Sequence, residues 1–206
     1  MAEKSADSPE TRYEARKSLA DHYVKTGQLD NAISVLGRIA DEVGGPGGEA
    51  AIYRMAEISE DSGDAAAALS YYSRIINEFP GGEYRSSALL KSGNRLRKLK
   101  LYEESNATLM QYISEFPDSK NVNIARFYIA FNHQRIGEYG EAIKYHKIVA
   151  TYGRRSLAVQ SYYWLGICER DMGNTIAARS YFKKVIINYR DFPDWVERAK
   201  TELNSL

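Results

Sequence analysis

The sequence predicts an all-α chain made of about five tandem helix pairs and closed by a C-terminal capping helix. Three observations predict it. The first is internal repetition: segments beginning at Gly27, Gly63, Lys100, Gly137 and Gly173 resemble one another at intervals of 36, 37, 37 and 36 residues, and a fixed period of this size marks a repeat architecture. The second is a pattern of small residues. Ala20, Ala56, Gly93, Ala130 and Gly166 stand seven residues before the segment starts, and Ala32, Ala68, Ser105, Ala142 and Ala178 stand five after them. The third is punctuation by Pro9, Pro46, Pro80, Pro117 and Pro193, at the chain start or at unit ends, with Gly153 serving the fourth unit. Proline costs about 3 kcal/mol inside a helix, so it marks boundaries.

Each element follows from that register. After the second small residue come Leu36/Ile39, Tyr72/Ile75, Leu109/Tyr112, His146/Val149 and Phe182/Val185, spaced as one helix face is. Small residues let paired backbones approach, and the larger ones fill the gaps between pairs. Helices are expected over 9–26, 29–43, 48–62, 65–79, 83–99, 102–116, 120–136, 139–152, 155–172 and 175–190. These make repeats at about 13–46, 49–82, 86–119, 123–155 and 159–192 within one domain, 1–206. Ser8 and the Asp118-Ser119 pair are expected N-caps. A last helix over 194–204 carries Trp195, Ala199 and Leu203 at a spacing of four and is expected to cover the fifth pair.

The chain of 206 residues is long enough for a sizeable core, and 44% apolar with 27% charged residues is an ordinary globular balance. Twenty-eight Lys+Arg against 27 Asp+Glu leave a net +1, which argues against a nucleic-acid partner held by bulk positive charge. The charge is unevenly spread: residues 1–80 carry net −6 and residues 81–206 net +7. Such opposed ends could steer a charged partner or favour head-to-tail association. Apolar runs are too short for a membrane span, and Met1-Ala2-Glu3-Lys4 does not open a secretory signal. As the chain stands, the cytoplasm is expected; a leader upstream would instead direct it to the periplasm.

The small residues and aromatics resemble tetratricopeptide repeats, best at Tyr162-x-x-Leu165-Gly166 with Gly173, Ala178 and Phe182. The resemblance runs from about Tyr13 to Leu203 and implies a right-handed α-solenoid that binds proteins. The repeats exceed the common period of 34. The endings Glu78-Phe79-Pro80 and Glu115-Phe116-Pro117 are similar to a bacterial cell-envelope subclass: the lipoprotein of the outer-membrane β-barrel assembly machine and the periplasmic Tol–Pal coordinator. Some family members grip a C-terminal carboxylate through Lys and Asn; here Lys17 is followed by Asp21, so that clamp is broken.

Chemistry is sparse. His146 takes a position that is Leu36, Tyr72, Leu109 or Phe182 elsewhere and reads as core. Cys168 reads as a buried thiol. Gly44-Gly45-Pro46-Gly47-Gly48 lacks the Lys and the strand of a phosphate loop and reads as a flexible inter-repeat turn. No enzyme, cofactor or metal is expected.

A stack of helix pairs lines its concave face with the first helix of each pair. Numbering each unit so that its first small residue is position 8, positions 2, 5, 9 and 12 should face that groove. The first two units then offer acidic Glu14, Asp21, Glu57, Glu60 and Asp61. The later ones offer Phe127, Phe131, Tyr163 and Ile167 edged by Asn94, Arg97, Arg135 and Arg170. Aromatics flanked by arginine are the composition of interface hot spots. Two functions are therefore carried forward: a scaffold holding a peptide or partner helix in the groove, or a self-assembly protein joining copies through charged ends or convex faces.

Overall fold

The computed structural model describes residues 9–206, with side chains from Thr11 onward; the expected cap Ser8 and the Met1–Lys4 opening lie outside the described residues. Eleven helices follow in order: α1 (Pro9–Lys25), α2 (Leu29–Val43), α3 (Gly45–Ser62), α4 (Ala65–Glu78), α5 (Arg85–Lys98), α6 (Tyr102–Glu115), α7 (Val122–Arg135), α8 (Tyr139–Tyr152), α9 (Arg155–Asp171), α10 (Thr175–Asn188) and α11 (Pro193–Asn204). No strand occurs among the described residues. By packing, the chain divides into two compact units, Met1–Arg95 and Leu96–Leu206.

In the first unit α1 packs on α2, α2 on α3 and α3 on α4. Ala20, Ala32, Ala56 and Ala68 are at most 2% exposed and Gly93 is buried, so the small residues lie inside the packing. Leu36, Ile39, Ile52, Met55, Tyr72 and Ile75 fill the space around them. Asp64 caps α4 by accepting the Ala67 N–H at 3.0 Å. Glu49 on α3 is a buried carboxylate with a task. It accepts the backbone N–H groups of Glu83 at 3.0 Å and Tyr84 at 2.8 Å, just ahead of α5, where helix-start donors need acceptors. Gly82 makes room for it, since a Cβ there would stand 2.1 Å from the Glu49 carboxylate.

The glycine-rich segment is helical, not a flexible turn. Gly44 and Gly45 turn the chain with φ of 59° and 49°, and α3 starts at Gly45, earlier than expected. Close packing is the reason. A Cβ at Gly47 would lie 2.9 Å from Val43, and one at Gly48 would lie 3.1 Å from the Ala40 carbonyl oxygen.

In the second unit α6 to α11 repeat the scheme, with Ala142 and Ala178 fully buried. Gly166 marks a close approach of α9 to α10: a Cβ there would fall 2.5 Å from the Phe182 ring. Gly166→Val is expected to cost about 1–3 kcal/mol by overpacking, read as a lower midpoint in urea; an unchanged midpoint would show that the ring can swing aside. Between α6 and α7 the core is polar. Asn132 donates to Ser105 Oγ and to Asn106 Oδ1, both at 2.8 Å. His133 lies 3.4 Å from Asn106 and 2.6 Å from Glu138. The cap of α7 differs from expectation: Asn121 is the N-cap residue, while Ser119 Oγ accepts the Asn121 N–H and bonds the Tyr112 hydroxyl at 2.6 Å. Finally α11 packs on α10 and α9, burying Ala199 completely.

Candidate protein-interaction site

The residues singled out by sequence divide between the two units. Asn94 belongs to the first, half-buried on α5, and the other seven belong to the second. Within the second unit they separate by exposure. Phe127, Tyr163 and Ile167 are 9%, 8% and 6% exposed, so the expectation that these side chains stand open in a groove is corrected. Neighbouring helices cover them. Phe127 points edge-on at His146, 5.6 Å between centroids. Tyr163 meets Phe182 at 5.9 Å and Trp195 of α11 at 5.4 Å, and its hydroxyl donates to Glu202 at 3.3 Å. Burial, then the Glu202 charge, pushes the Tyr163 phenol above its ordinary pKa. Arg170 is half-buried and engaged, paired with Asp171 at 2.7 Å and with Glu202.

What stays accessible centres on Phe131, which is half-buried. The Arg97 guanidinium stands 5.3 Å from its ring centroid and 4.8 Å from that of Tyr128. Exposed Arg135 stands 6.0 Å from the Phe131 ring. Trp164 closes the group, edge-on to Phe131 at 5.8 Å and 86°. Cations over ring faces gain from the ring quadrupole, and here they also hold two guanidinium groups beside an apolar surface. Sequence reasoning missed Tyr128 and Trp164, both at position 6. That position reads Ser18, Arg54, Lys91, Tyr128, Trp164, and its change from cation to aromatic ring along the chain was a visible signal.

Two of the five acidic residues expected to face the groove in the first unit are neutralised. Lys91 lies 3.7 Å from Glu57 and 3.4 Å from Glu60, and Arg95 lies 2.8 Å from Glu60. Burial is the largest influence on Glu60 and disfavours its charge, but the hydrogen bonds from Arg95 and Tyr72 together with the Lys91 and Arg95 charges outweigh it and hold the carboxyl below its ordinary pKa. Glu14, Asp21 and Asp61 remain exposed.

Nothing in the second unit gathers catalytic groups around these rings. His146 is fully buried with no hydrogen-bond partner at either ring nitrogen, and burial depresses its pKa to about 3. The buried Cys168 thiol is pushed up to about 12, chiefly by burial. Among the described residues no cluster of His, Cys, Asp or Glu could hold a metal ion, and no helix is long and apolar enough to cross a membrane.

The family model for the tetratricopeptide repeat matches residues 50–82, 87–119 and 160–191. Those three segments are tetratricopeptide repeats. No curated protein matches the sequence significantly. Solved structures of MamA share this tetratricopeptide fold. MamA from Desulfovibrio magneticus RS-1 superposes with a TM-score of 0.67 at 16% identity, over 87% of this chain and 96% of that one. A second MamA structure gives 0.70 at 14% identity, over 89% and 94%. MamA MSR-1 gives 0.63 at 18% identity, over 91% and 98%. At such identities the likeness is one of fold: an all-α helical-repeat solenoid.

Proposed function

We propose that this tetratricopeptide chain is a non-enzymatic scaffold that holds a peptide or partner helix against the Phe131 face of residues 96–206. The supporting observation is the group of Phe131, Tyr128 and Trp164 with Arg97 and Arg135 over the rings. Aromatic and arginine side chains dominate interface energies because they bury much area while keeping a polar or charged edge. Buried Phe127 meets Tyr128 and buried Tyr163 meets Trp164 edge-on, and Arg170 helps to hold α11 in place. The partner that fits has apolar side chains for the rings and carboxylates for the two guanidinium groups.

Partners captured from the native organism, followed by calorimetry, test this reading. Phe131→Ala or Trp164→Ala is expected to weaken binding by roughly 2 kcal/mol. Arg135→Glu is expected to slow association with an acidic partner and reduce its salt dependence. Normal binding by both aromatic variants, with circular dichroism unchanged, would overturn the assignment.

One further observation favours self-assembly as a second reading. Apolar side chains stand open at the helix–helix turns of the second unit: Leu99 at 46%, Leu101 at 42%, Met172 at 48% and Ile176 at 87% exposed. Exposed apolar surface marks association sites. Light scattering at several concentrations decides: mass that grows for the parent and stays monomeric for Ile176→Glu supports assembly, and a monomer throughout removes it.

A further inference from the structure

The first unit contains a cavity of about 170 Å³ between α1, α2 and α3, floored by Leu36, Ile39, Ala50 and Ala51 and walled by Tyr13 and Gly47. Lys17, Asp21 and Arg54 stand around its mouth. Apolar walls without partner atoms forfeit their contacts, which raises the question of what fills the space.

The next repeat answers it, because its equivalent contact lies in the same unit and is complete. Counting from Ala20, Ala56 and Gly93, Lys17 corresponds to Tyr53, Gly47 to Tyr84 and Leu36 to Tyr72. In the complete contact Tyr53 stacks on Tyr84 at 4.5 Å and 29° and leans on Tyr72 at 6.2 Å. Lys91 stands 5.1 Å over the Tyr53 ring and 3.7 Å from Glu57. The counterparts of Lys91 and Glu57 are Arg54 and Asp21. The cavity therefore keeps the cation and the carboxylate that frame an aromatic ring one repeat later and lacks the counterparts of Tyr53, Tyr72 and Tyr84, its one aromatic wall being Tyr13.

We propose that this cavity is a pocket for one aromatic side chain presented by a partner protein. The ring would rest on Leu36, Ile39 and the alanine methyls, with Arg54 at its face and Lys17 and Asp21 positioned for the partner backbone on either side. Arg54 already lies 3.2 Å from Glu57, which anchors the guanidinium at the mouth. Asp21 and Lys17 are both exposed. Residues 1–8 contain no Phe, Tyr or Trp, so that segment cannot supply the ring. An apolar concavity with a few convergent polar groups is the usual form of a ligand site, and the pattern of rings and charges in the adjacent repeat specifies the ligand.

The test is a random dodecapeptide phage library, first depleted on the 206-residue chain carrying Ala50→Phe, whose new ring fills the cavity, and then selected on the parent. Selected peptides are expected to share Phe, Tyr or Trp at one position. Calorimetry should show at least tenfold weaker binding when that residue becomes Ala. The same loss is expected for Lys17→Tyr, a change at an exposed position that supplies the missing Tyr53-like ring without burdening the core. Arg54→Gln should cost several-fold, whereas Lys183→Gln on the other unit should cost nothing. Selection of no peptide, selection without an aromatic position, or binding that survives both Ala50→Phe and Lys17→Tyr would overturn the proposal. Thermal melts of both variants show whether each is folded, and Lys17→Tyr carries the decision if Ala50→Phe is not.

Discussion

Truncation after Arg190 is expected to abolish cooperative folding of the second unit and to leave a protein that aggregates. The deletion removes α11, which packs on α9 and α10. With it go Trp195 from Tyr163, Glu202 from Arg170 and from the Tyr163 hydroxyl, and Asp191 from its 2.6 Å pair with Arg155. Tyr163, Ile167 and Tyr189, each now under 9% exposed, lose cover. Leaving such side chains in water forfeits about 1.5–3 kcal/mol apiece, and a total of several kcal/mol is comparable with the whole stability of a small domain. A terminal helix with a polar outer face is what lets a repeat stack end in water. Light scattering and urea denaturation check this. A truncated protein that stays monomeric and unfolds at the parent midpoint would remove the capping role from α11.

His146 is expected to make the protein acid-sensitive. The imidazole is buried against Phe127, and burial depresses its pKa from 6.5 to about 3. In the unfolded chain it takes a proton near pH 6.5. The folded protein refuses that proton until about pH 3. Between those values the unfolded state binds more protons, so stability falls as pH falls, by about 1.4 kcal/mol per pH unit. At pH 4.5 the loss from this one residue is about 3 kcal/mol. His146→Phe, which copies Phe182, and His146→Leu, which copies Leu109, should remove it. Each should also gain about 1 kcal/mol at pH 7.5, because two unpartnered buried nitrogens disappear. Urea midpoints at pH 7.5 and 4.5 provide the comparison. Other titrating groups are common to parent and variant and cancel, so an equal acid loss in both would clear His146.

Much of this protein was legible in its sequence because helix pairs are local objects. The period of 36 or 37 residues places each turn, and α2, α4, α6, α8 and α10 start and stop within two residues of expectation. His146 and Cys168 read as core from register alone and are buried. The start of α3 did not, since five residues including four glycines look like a loop until Val43 and Ala40 are seen pressing on Gly47 and Gly48. Glu49 was missed for a similar reason: its acceptors' partners, the amides before α5, lie more than thirty residues away.

The sequence by itself determined the fold class, the register of the helix pairs and the small residues at their crossings, because these depend on spacing along one chain. Only the tertiary structure decided which side chains water can reach. Position 5 is held alike by Phe127 and Tyr163, and position 9 by Phe131 and Ile167, yet of these four only Phe131 keeps an open face. Burial depends on which neighbour lies across, and that neighbour differs from repeat to repeat. The same cause neutralised Glu57 and Glu60 through Lys91 and Arg95, and left a cavity where Lys17 and Gly47 replace two stacked tyrosines.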